Sequence, residues 1–383
     1  MVLPRVLESP KTSFFLLGPR GTGKSLWLRT VFPGAHTFDL LSEATYQRLL
    51  ARPALFADEL RTVDSNRWVI IDEVQRLPNL LNEVHRFIEE RRYTFVLCGS
   101  SARKLKRAGV NLLAGRATRR SMHPFVPEEI GDHFALEEAM QHGLLPIVWD
   151  SDDKQETLNA YAQMYLKEEI QAEALVRNLP GFARFLPVAA LFHGQAINAN
   201  SLARDAGVAR TTVNGYLQIL EETLLCFRLP AFDGGLRVRE KRSPKWYWCD
   251  PGIVRAMKGS TGSPVAEERG ALFEGLVAQL LRAYRDYRGS FDSMSYWAPA
   301  GRTSTEVDFL LRRGDHTIAV EVKSGMRFRE DWCKGLRAVA DLKGIGRRIV
   351  VYPSGPRLRT SDDIEVMPFA DFAEDVSRDR LFT

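Results

Sequence analysis

The apolar positions of this chain fall into three patterns. Near the N-terminus they gather into short unbroken runs: SFFLL at 13–17, WVII at 68–71 and TFVLC at 94–98. Each run reads as a buried strand. Between residues 303 and 325 the pattern becomes alternation. Val307, Phe309 and Leu311, then Ile318, Val320 and Val322, occupy every second position of EVDFLL and IAVEVKS. These six side chains are expected on a core face, with Glu306, Asp308, Glu321 and Lys323 on the opposite face. Helical spacing accounts for much of the rest: LWLRTVF after residue 25, a charge-rich stretch at 158–178, and a helix at 266–285 whose apolar face is Leu272, Phe273, Leu276, Val277 and Leu280. A further strand is expected in ATRRSMHPF, 117–125.

The first apolar run leads directly into GPRGTGKS, Gly18, Pro19, Arg20, Gly21, Thr22, Gly23, Lys24 and Ser25, and then into a helix. Strand, G-x-x-x-x-G-K-S, helix is the context a phosphate-binding loop requires. Its glycines let backbone N–H groups close around phosphate oxygens, and the helix N-terminus favours negative charge. Lys24 would reach the β- and γ-phosphates of ATP, and Ser25 would ligand Mg²⁺. The run WVIIDE ends in Asp72 and Glu73, as does the strand expected beside the phosphate-loop strand in such ATPases. Asp72 would hold Mg²⁺ through its water shell, and Glu73 would polarise the attacking water. The third run ends in Ser100 and Ser101, which either sense the γ-phosphate or cap the next helix.

GPRGTGKS, IIDEVQRLP, GSSARKL and LAGRA together resemble the AAA+ ATPase domain of a large prokaryotic family of ATP-binding proteins with an uncharacterised C-terminal domain. The resemblance covers residues 11–135. It implies an arginine finger at Arg116, with Arg103 as the competing candidate, and a finger acting on a neighbour's nucleotide implies a homo-oligomer.

In the middle, NANSLARDAGVARTTVNGYLQILEETLL (198–225) has a helix–turn–helix layout. Leu202 and Ala203 lie on the first helix, Gly207 takes the turn, and Val213, Leu217 and Leu220 line the second. CFRLPAF and RVREKRSPKWYWCD would form a wing carrying Arg237, Arg239, Lys241, Arg242 and Lys245. Beside a helix that starts with Arg210, Thr211, Thr212 and Asn214, this is either a phosphate-contacting surface for DNA or a winged helix used for protein packing.

In the alternating segment, Asp308, Glu321 and Lys323 converge. Two close carboxylates repel unless a cation lies between them. Their hard oxygens suit Mg²⁺ or Mn²⁺, and Lys323 could serve a nucleophilic water. The spacing D-x(12)-E-x-K resembles the PD-(D/E)xK nuclease superfamily, which usually adds a helical Glu. Glu274, at the border of the 266–285 stripe, fits that role. Val307 stands before Asp308 where the motif often has proline.

Composition changes this picture little. The chain has 383 residues, 45% hydrophobic and 26% charged, with net charge +5 and pI near 9.0. That balance permits a nucleic-acid partner without requiring one. The four cysteines are scattered, which argues against a zinc or disulfide framework and for a reducing, cytoplasmic setting. No run approaches a membrane span, and FFLL is too short for a signal sequence. The expected architecture is α/β: an AAA+ core at 1–135, a helical lid or linker at 136–195, a winged helix at 196–255 and a restriction-endonuclease-like α/β domain at 256–383. The expected function is ATP-driven DNA processing, in which hydrolysis is coupled to DNA binding, remodelling or metal-dependent cleavage. The alternative is an ATP-dependent switch acting on protein partners, with a nuclease fold kept as a scaffold.

Overall fold

The computed structural model describes residues 3–101, 112–165, 179–233, 243–299, 305–342 and 344–383. The chain divides into two compact units, one of residues 4–123 with 220–225, the other of 124–219 with 226–383.

The N-terminal unit is built on a five-stranded sheet ordered β2-β3-β4-β1-β5. The strands are β1 (Phe14–Leu17), β2 (His36–Asp39), β3 (Trp68–Asp72), β4 (Thr94–Gly99) and β5 (Thr118–Ser121), all parallel. The unbroken apolar runs become β1, β3 and β4, buried almost throughout, as strands covered on both faces must be. The order corrects one expectation: β4 lies between β3 and β1, so the Asp72 strand is not the immediate neighbour of the phosphate-loop strand. Because all strands run the same way, their carboxyl ends still share one edge, where an open α/β sheet places its site.

The second unit contains a six-stranded sheet ordered β13-β14-β12-β11-β10-β9 and a three-stranded sheet ordered β6-β8-β7. The larger comprises β9 (Ser293–Trp297), β10 (Val307–Arg313), β11 (His316–Val322), β12 (Ile345–Tyr352), β13 (Leu358–Arg359) and β14 (Glu365–Pro368). The smaller comprises β6 (Gln195–Ala196), β7 (Cys226–Leu229) and β8 (Lys245–Trp248). The expected alternation in β10 is only partly right. A register shift against β9 falls between Val307 and Leu310, and Val307 joins Leu310, Ala319, Leu336 and Val350 in one core cluster. Leu310 and Ala319 belong to the rows assigned to the polar face, yet both are buried. Apolar side chains therefore lie on both faces of the sheet, and the acids sit inside it rather than on an open polar face.

The helix Ala266–Arg288 buries the five expected apolar residues and also Gly275, Ala278, Gln279 and Tyr284. The helix–turn–helix is present as helices Ala199–Ala206 and Arg210–Glu222, with Gly207 at φ 63° closing the first. Phe182 and Phe185 of the preceding helix, Leu179–Leu191, pack on Tyr216. The expected 158–178 helix is seen as Lys154–Ala160 and a π turn at Tyr161–Tyr165; 166–178 lies outside the described residues.

His193 docks the long helix. Its Nδ1 accepts from the Trp248 backbone N–H at 3.1 Å. Burial, with the nearby Lys258 charge, pushes its pKa down to about 3, so the ring is neutral. A Cβ added at Gly275 would lie 2.0 Å from His193 Nε2, which is why glycine stands there, next to Glu274. Gly275→Ala should therefore cost about 1–3 kcal/mol of stability. In thermal unfolding of the full chain, the Gly275→Ala/His193→Ala pair should lose less than the sum of the two single changes. Additive losses would separate the two residues.

Candidate functional site

The phosphate loop is set by its own backbone. Gly21 and Gly23 adopt φ of 79° and 82°, a region costly for any side chain, and Gly23 is the cap of the helix Lys24–Val31. A Cβ on Gly18 would meet the Met122 carbonyl at 2.3 Å. Thr22 Oγ1 donates to the Pro19 carbonyl at 2.8 Å. Lys24, buried, donates from Nζ to the Gly18 and Pro19 carbonyls at 2.8 and 3.0 Å. Arg20 is exposed at the loop's tip.

Around the loop stand the expected partners. Ser25 Oγ donates to Asp72 Oδ2 at 2.6 Å, which brings the two proposed Mg²⁺ groups together. Glu73 follows with φ 57°, a left-handed conformation that costs about 1–2 kcal/mol outside glycine. Its carboxylate accepts from the Gln75 amide and from Ser100 Oγ at 3.3 Å, and the Gln75 amide also reaches Ser100 Oγ at 3.2 Å. Ser101 is fully buried, and whatever it precedes at 102–111, Arg103 included, lies outside the described residues.

Two members were not anticipated from sequence. Gln75 is buried, and Gly99 leaves it room, since a Cβ there would stand 2.2 Å from Gln75 Oε1. Arg5 spans the Thr22 carbonyl at 2.8 Å and the His123 carbonyl at 2.6 Å, tying the loop to the chain after β5. Gln75 had a faint signal, a polar residue just after the acidic strand end. Arg5 had none. Arg116 follows the turn Leu112–Gly115 and pairs through Nε with Glu89 on the helix Leu80–Arg91 of its own chain.

A second cluster lies in the other unit. Lys245, expected on a basic wing, is instead 4% exposed and enclosed by acids. Its Nζ stands 2.9 Å from Glu274 Oε1, 3.2 Å from Asp308 Oδ1 and 3.3 Å from Glu306 Oε1. The correction has a simple cause: KWYW is the buried strand β8, and its polar first residue had to find carboxylates. Arg237, Arg239, Lys241 and Arg242 lie outside the described residues. Asp308 Oδ2 accepts from the Val322 N–H at 2.9 Å, Lys323 pairs with Glu321 Oε1, and the Tyr247 hydroxyl donates to Glu274.

The four expected residues thus share one electrostatic neighbourhood, together with Lys245, Tyr247 and Glu306. Burial, then the Asp308 charge, pushes the Glu274 carboxyl up to about 7, against the pull of Lys245 and Tyr247. The same two causes hold Glu321 well above the usual carboxylate range, against Lys323. Burial opposes the Lys245 charge, but Glu274, Tyr247, Asp308 and Glu306 outweigh it and keep the lysine protonated. Glu321 Oε2 is buried with no hydrogen-bond partner. Among the described residues, no three His, Cys, Asp or Glu groups stand together in metal-holding geometry. The donors suit a hard cation chemically, while the Lys245 ammonium stands among them.

Residues 10–131 match the family described as AAA domain. Residues 133–263 and 269–372 match two domains of unknown function, DUF8612 and DUF4143. An uncharacterized protein of Mycobacterium tuberculosis and one of Mycobacterium bovis are each 26% identical over 364 residues, covering 92% of this chain and 79% of theirs. Two solved structures were compared over nearly the whole chain. A Vibrio cholerae protein is 14% identical with a TM-score of 0.23, covering 97% of this chain and 96% of its own. Can2 from Sulfobacillus thermosulfidooxidans, solved with cyclic tetra-adenylate, is 11% identical with a TM-score of 0.20, covering 96% and 98%. Overlays this loose carry no weight for the fold. No helix among the described residues is long and apolar enough to cross a membrane. What the family match adds to the geometry is that the N-terminal third is an AAA-type ATPase domain, with the nucleotide binding, typically with Mg²⁺, that such a domain implies.

Proposed function

We propose that the chain hydrolyses ATP in its N-terminal unit and uses the cycle to act on DNA through its C-terminal unit. The observation that carries the first half is the meeting of the phosphate loop with Ser25, Asp72, Glu73 and Ser100 at one sheet edge. Lys24 is the cation for the phosphates. Ser25 and Asp72 would hold Mg²⁺, and the ion would supply positive charge for the transferring phosphoryl group. Glu73, held by Gln75 and Ser100, takes the proton of the attacking water. Arg116 acts across a subunit contact once freed from Glu89.

For the second half, the helix–turn–helix with its following strands is read as a winged helix, in a four-part chain divided at 1–135, 136–195, 196–255 and 256–383. Arg210, Thr211 and Asn214 are exposed at the start of its second helix, where a duplex would be met. Asp308, Glu321 and Glu274 are read as the ligands of Mg²⁺ or Mn²⁺ in a PD-(D/E)xK-like domain. The bound metal would polarise a scissile phosphate. Asp308 keeps its orientation through the Val322 N–H, and Lys323 orients the water. A second reading, a switch acting on protein partners over a non-cleaving nuclease fold, is favoured by one observation: Lys245 already neutralises the acids.

Glu73→Gln should retain ATP affinity and lose turnover by about 100-fold or more. Arg116→Ala should do the same, and mixing the two inactive variants should restore part of the rate by pairing an intact Arg with an intact Glu. Failure of every mixing ratio would remove the subunit role of Arg116. Gly99→Ala should displace Gln75 and lower kcat about tenfold, with ATP affinity unchanged, by the measure that 1.4 kcal/mol is tenfold. A wild-type kcat would relieve Gln75 of any part. Finally, affinity for DNA should fall steeply with salt. Cleavage should require Mg²⁺ or Mn²⁺ and vanish in Asp308→Ala with ATPase activity intact. If linear, branched and single-stranded DNA are all neither bound nor cut, the switch reading replaces this one.

A further inference from the structure

Beyond β11 the chain leaves the sheet as KSGMRFRED, residues 323–331. Lys323 is still tied to the sheet, donating its backbone N–H to the Val351 carbonyl at 2.9 Å. β11, β12 and β14 run parallel, so this loop starts at their carboxyl ends, the edge where an open sheet places a ligand. A cavity of about 540 Å³ lies there, and its wall includes Lys323, Gly325, Met326, Arg327, Arg329 and Trp332. That is within the range of roughly 300–1,000 Å³ usual for a small-molecule subsite.

Three of these side chains are cations, and among the described residues no carboxylate lines the cavity. Lys323 is paired on its other side with Glu321. Arg329 reaches Asp331 through Nε at 3.1 Å and Nη2 at 2.8 Å, but both partners are more than half exposed, and such a pair holds its members weakly. Arg327 is exposed and pairs with no acid among the described residues. Trp332, on the turn Glu330–Cys333, supplies an aromatic wall and stands edge-on to Phe328 at 6.0 Å. A Cβ on Gly325 would lie 2.6 Å from Trp332 Cζ2, so glycine is what lets the loop close on the indole. Cations without acids call for an anion, and an indole beside them calls for a flat ring. A nucleotide supplies both, a phosphate for an arginine fork and a base for stacking. In a duplex the base faces are covered by their neighbours, so the fit is to an unpaired strand.

We propose that this loop is a binding site for single-stranded DNA: Arg327 and Arg329 take backbone phosphates, and Trp332 stacks on an unpaired base. This rests on the reading that the C-terminal unit meets DNA, and it adds the form of the strand and the residues that hold it. It needs neither a metal nor a cleavage step. A strand held here passes Lys323, the residue that joins the cavity to Glu321 and the acids behind it.

The test uses the full chain in EDTA and a fluorescein-labelled oligothymidylate of about 20 nucleotides, longer than the roughly 4–16 that one single-strand-binding fold covers. Anisotropy is followed across a salt series, with a duplex of the same length alongside. Wild type should bind the single strand more tightly than the duplex. Arg327→Ala should weaken binding and lower the salt slope of log K by about 0.7, the share of one phosphate contact on a single strand, while Arg327→Lys keeps the slope. Trp332→Leu should lose about fivefold or more at every salt concentration with the slope unchanged, and Trp332→Phe should lose less. Arg312→Ala, which removes an exposed cation opposite Thr317 at the other end of β11, should leave the slope unchanged. A second measurement needs no variant: wild type photo-crosslinked to an iododeoxyuridine strand and mapped by mass spectrometry should be labelled within 323–332. A wild-type slope in Arg327→Ala, equal losses in Arg312→Ala and Arg327→Ala, or crosslinks only elsewhere overturns this site and leaves the DNA reading standing. If neither strand nor duplex is bound at low salt, the DNA reading fails and this site fails with it.

Discussion

A carboxylate taken out of water must be met by a donor or a cation, and both acid-bearing regions of this chain are organised around that requirement. In the N-terminal unit, Asp72 is met by Ser25 and by the Glu73 backbone N–H, and Glu73 by Gln75 and Ser100. In the other unit, Asp308 is met by Lys245 and the Val322 N–H, Glu274 by Lys245 and Tyr247, and Glu321 by Lys323. Asp250, fully buried, shows the same rule in a purely structural role. Burial raises its pKa to about 6, while backbone N–H groups of Leu144 and Ile253 pull the other way. Asp250 has one oxygen met by the Leu144 N–H and the other by the Ile253 N–H of the helix it caps, whereas Glu321 keeps a bare oxygen. Asp72 and Asp308 likewise have both oxygens met, and Glu321 does not.

How much of this was legible in the sequence depended on the distance along the chain between interacting groups. The phosphate loop is written in eight consecutive residues, because backbone geometry and the following helix make the site locally. The helix–turn–helix is local as well, and its buried positions Val213, Leu217 and Leu220 fall where the spacing put them. Unbroken apolar runs announced buried strands, but not that β4 inserts between β3 and β1, since strand order is settled by packing among distant segments. Gln75 with Gly99, Arg5 with Thr22 and His123, and His193 with Gly275 are each pairings that no local pattern encodes.

The acid cluster shows where local reasoning fails. Alternation in β10 and β11 did bring Asp308, Glu321 and Lys323 near one another. It missed that the sheet is buried on both faces and that a register shift moves Val307 out of the expected row. Double-sided burial is the reason the acids needed a second ammonium. The basic count of the wing segment then misled, because Lys245 was grouped with the charges beside it in sequence. A lysine at the head of KWYW, with three aromatic neighbours, is about to enter a core, and its charge has to be met there.

The consequence reaches beyond one side chain. β8 pairs with β6 and β7, the strands flanking the helix–turn–helix, while Lys245 and Tyr247 of the same strand hold Glu274. The chain after β7 continues this union: Phe232 donates its N–H to the Tyr296 carbonyl at 2.7 Å, and Tyr296 returns one to Pro230 at 3.0 Å. Backbone hydrogen bonds and buried ion pairs therefore join the middle of the chain to its C-terminal sheet. A boundary at 255/256 divides two sequence patterns, but the two sides share one electrostatic cluster. A shift at the start of β8 alters the charge facing Asp308 and Glu274, and a change of charge there pulls on β8. β8 is buried along its whole length, so its pairing with β6 and β7 and its contacts with the acids belong to one packed core.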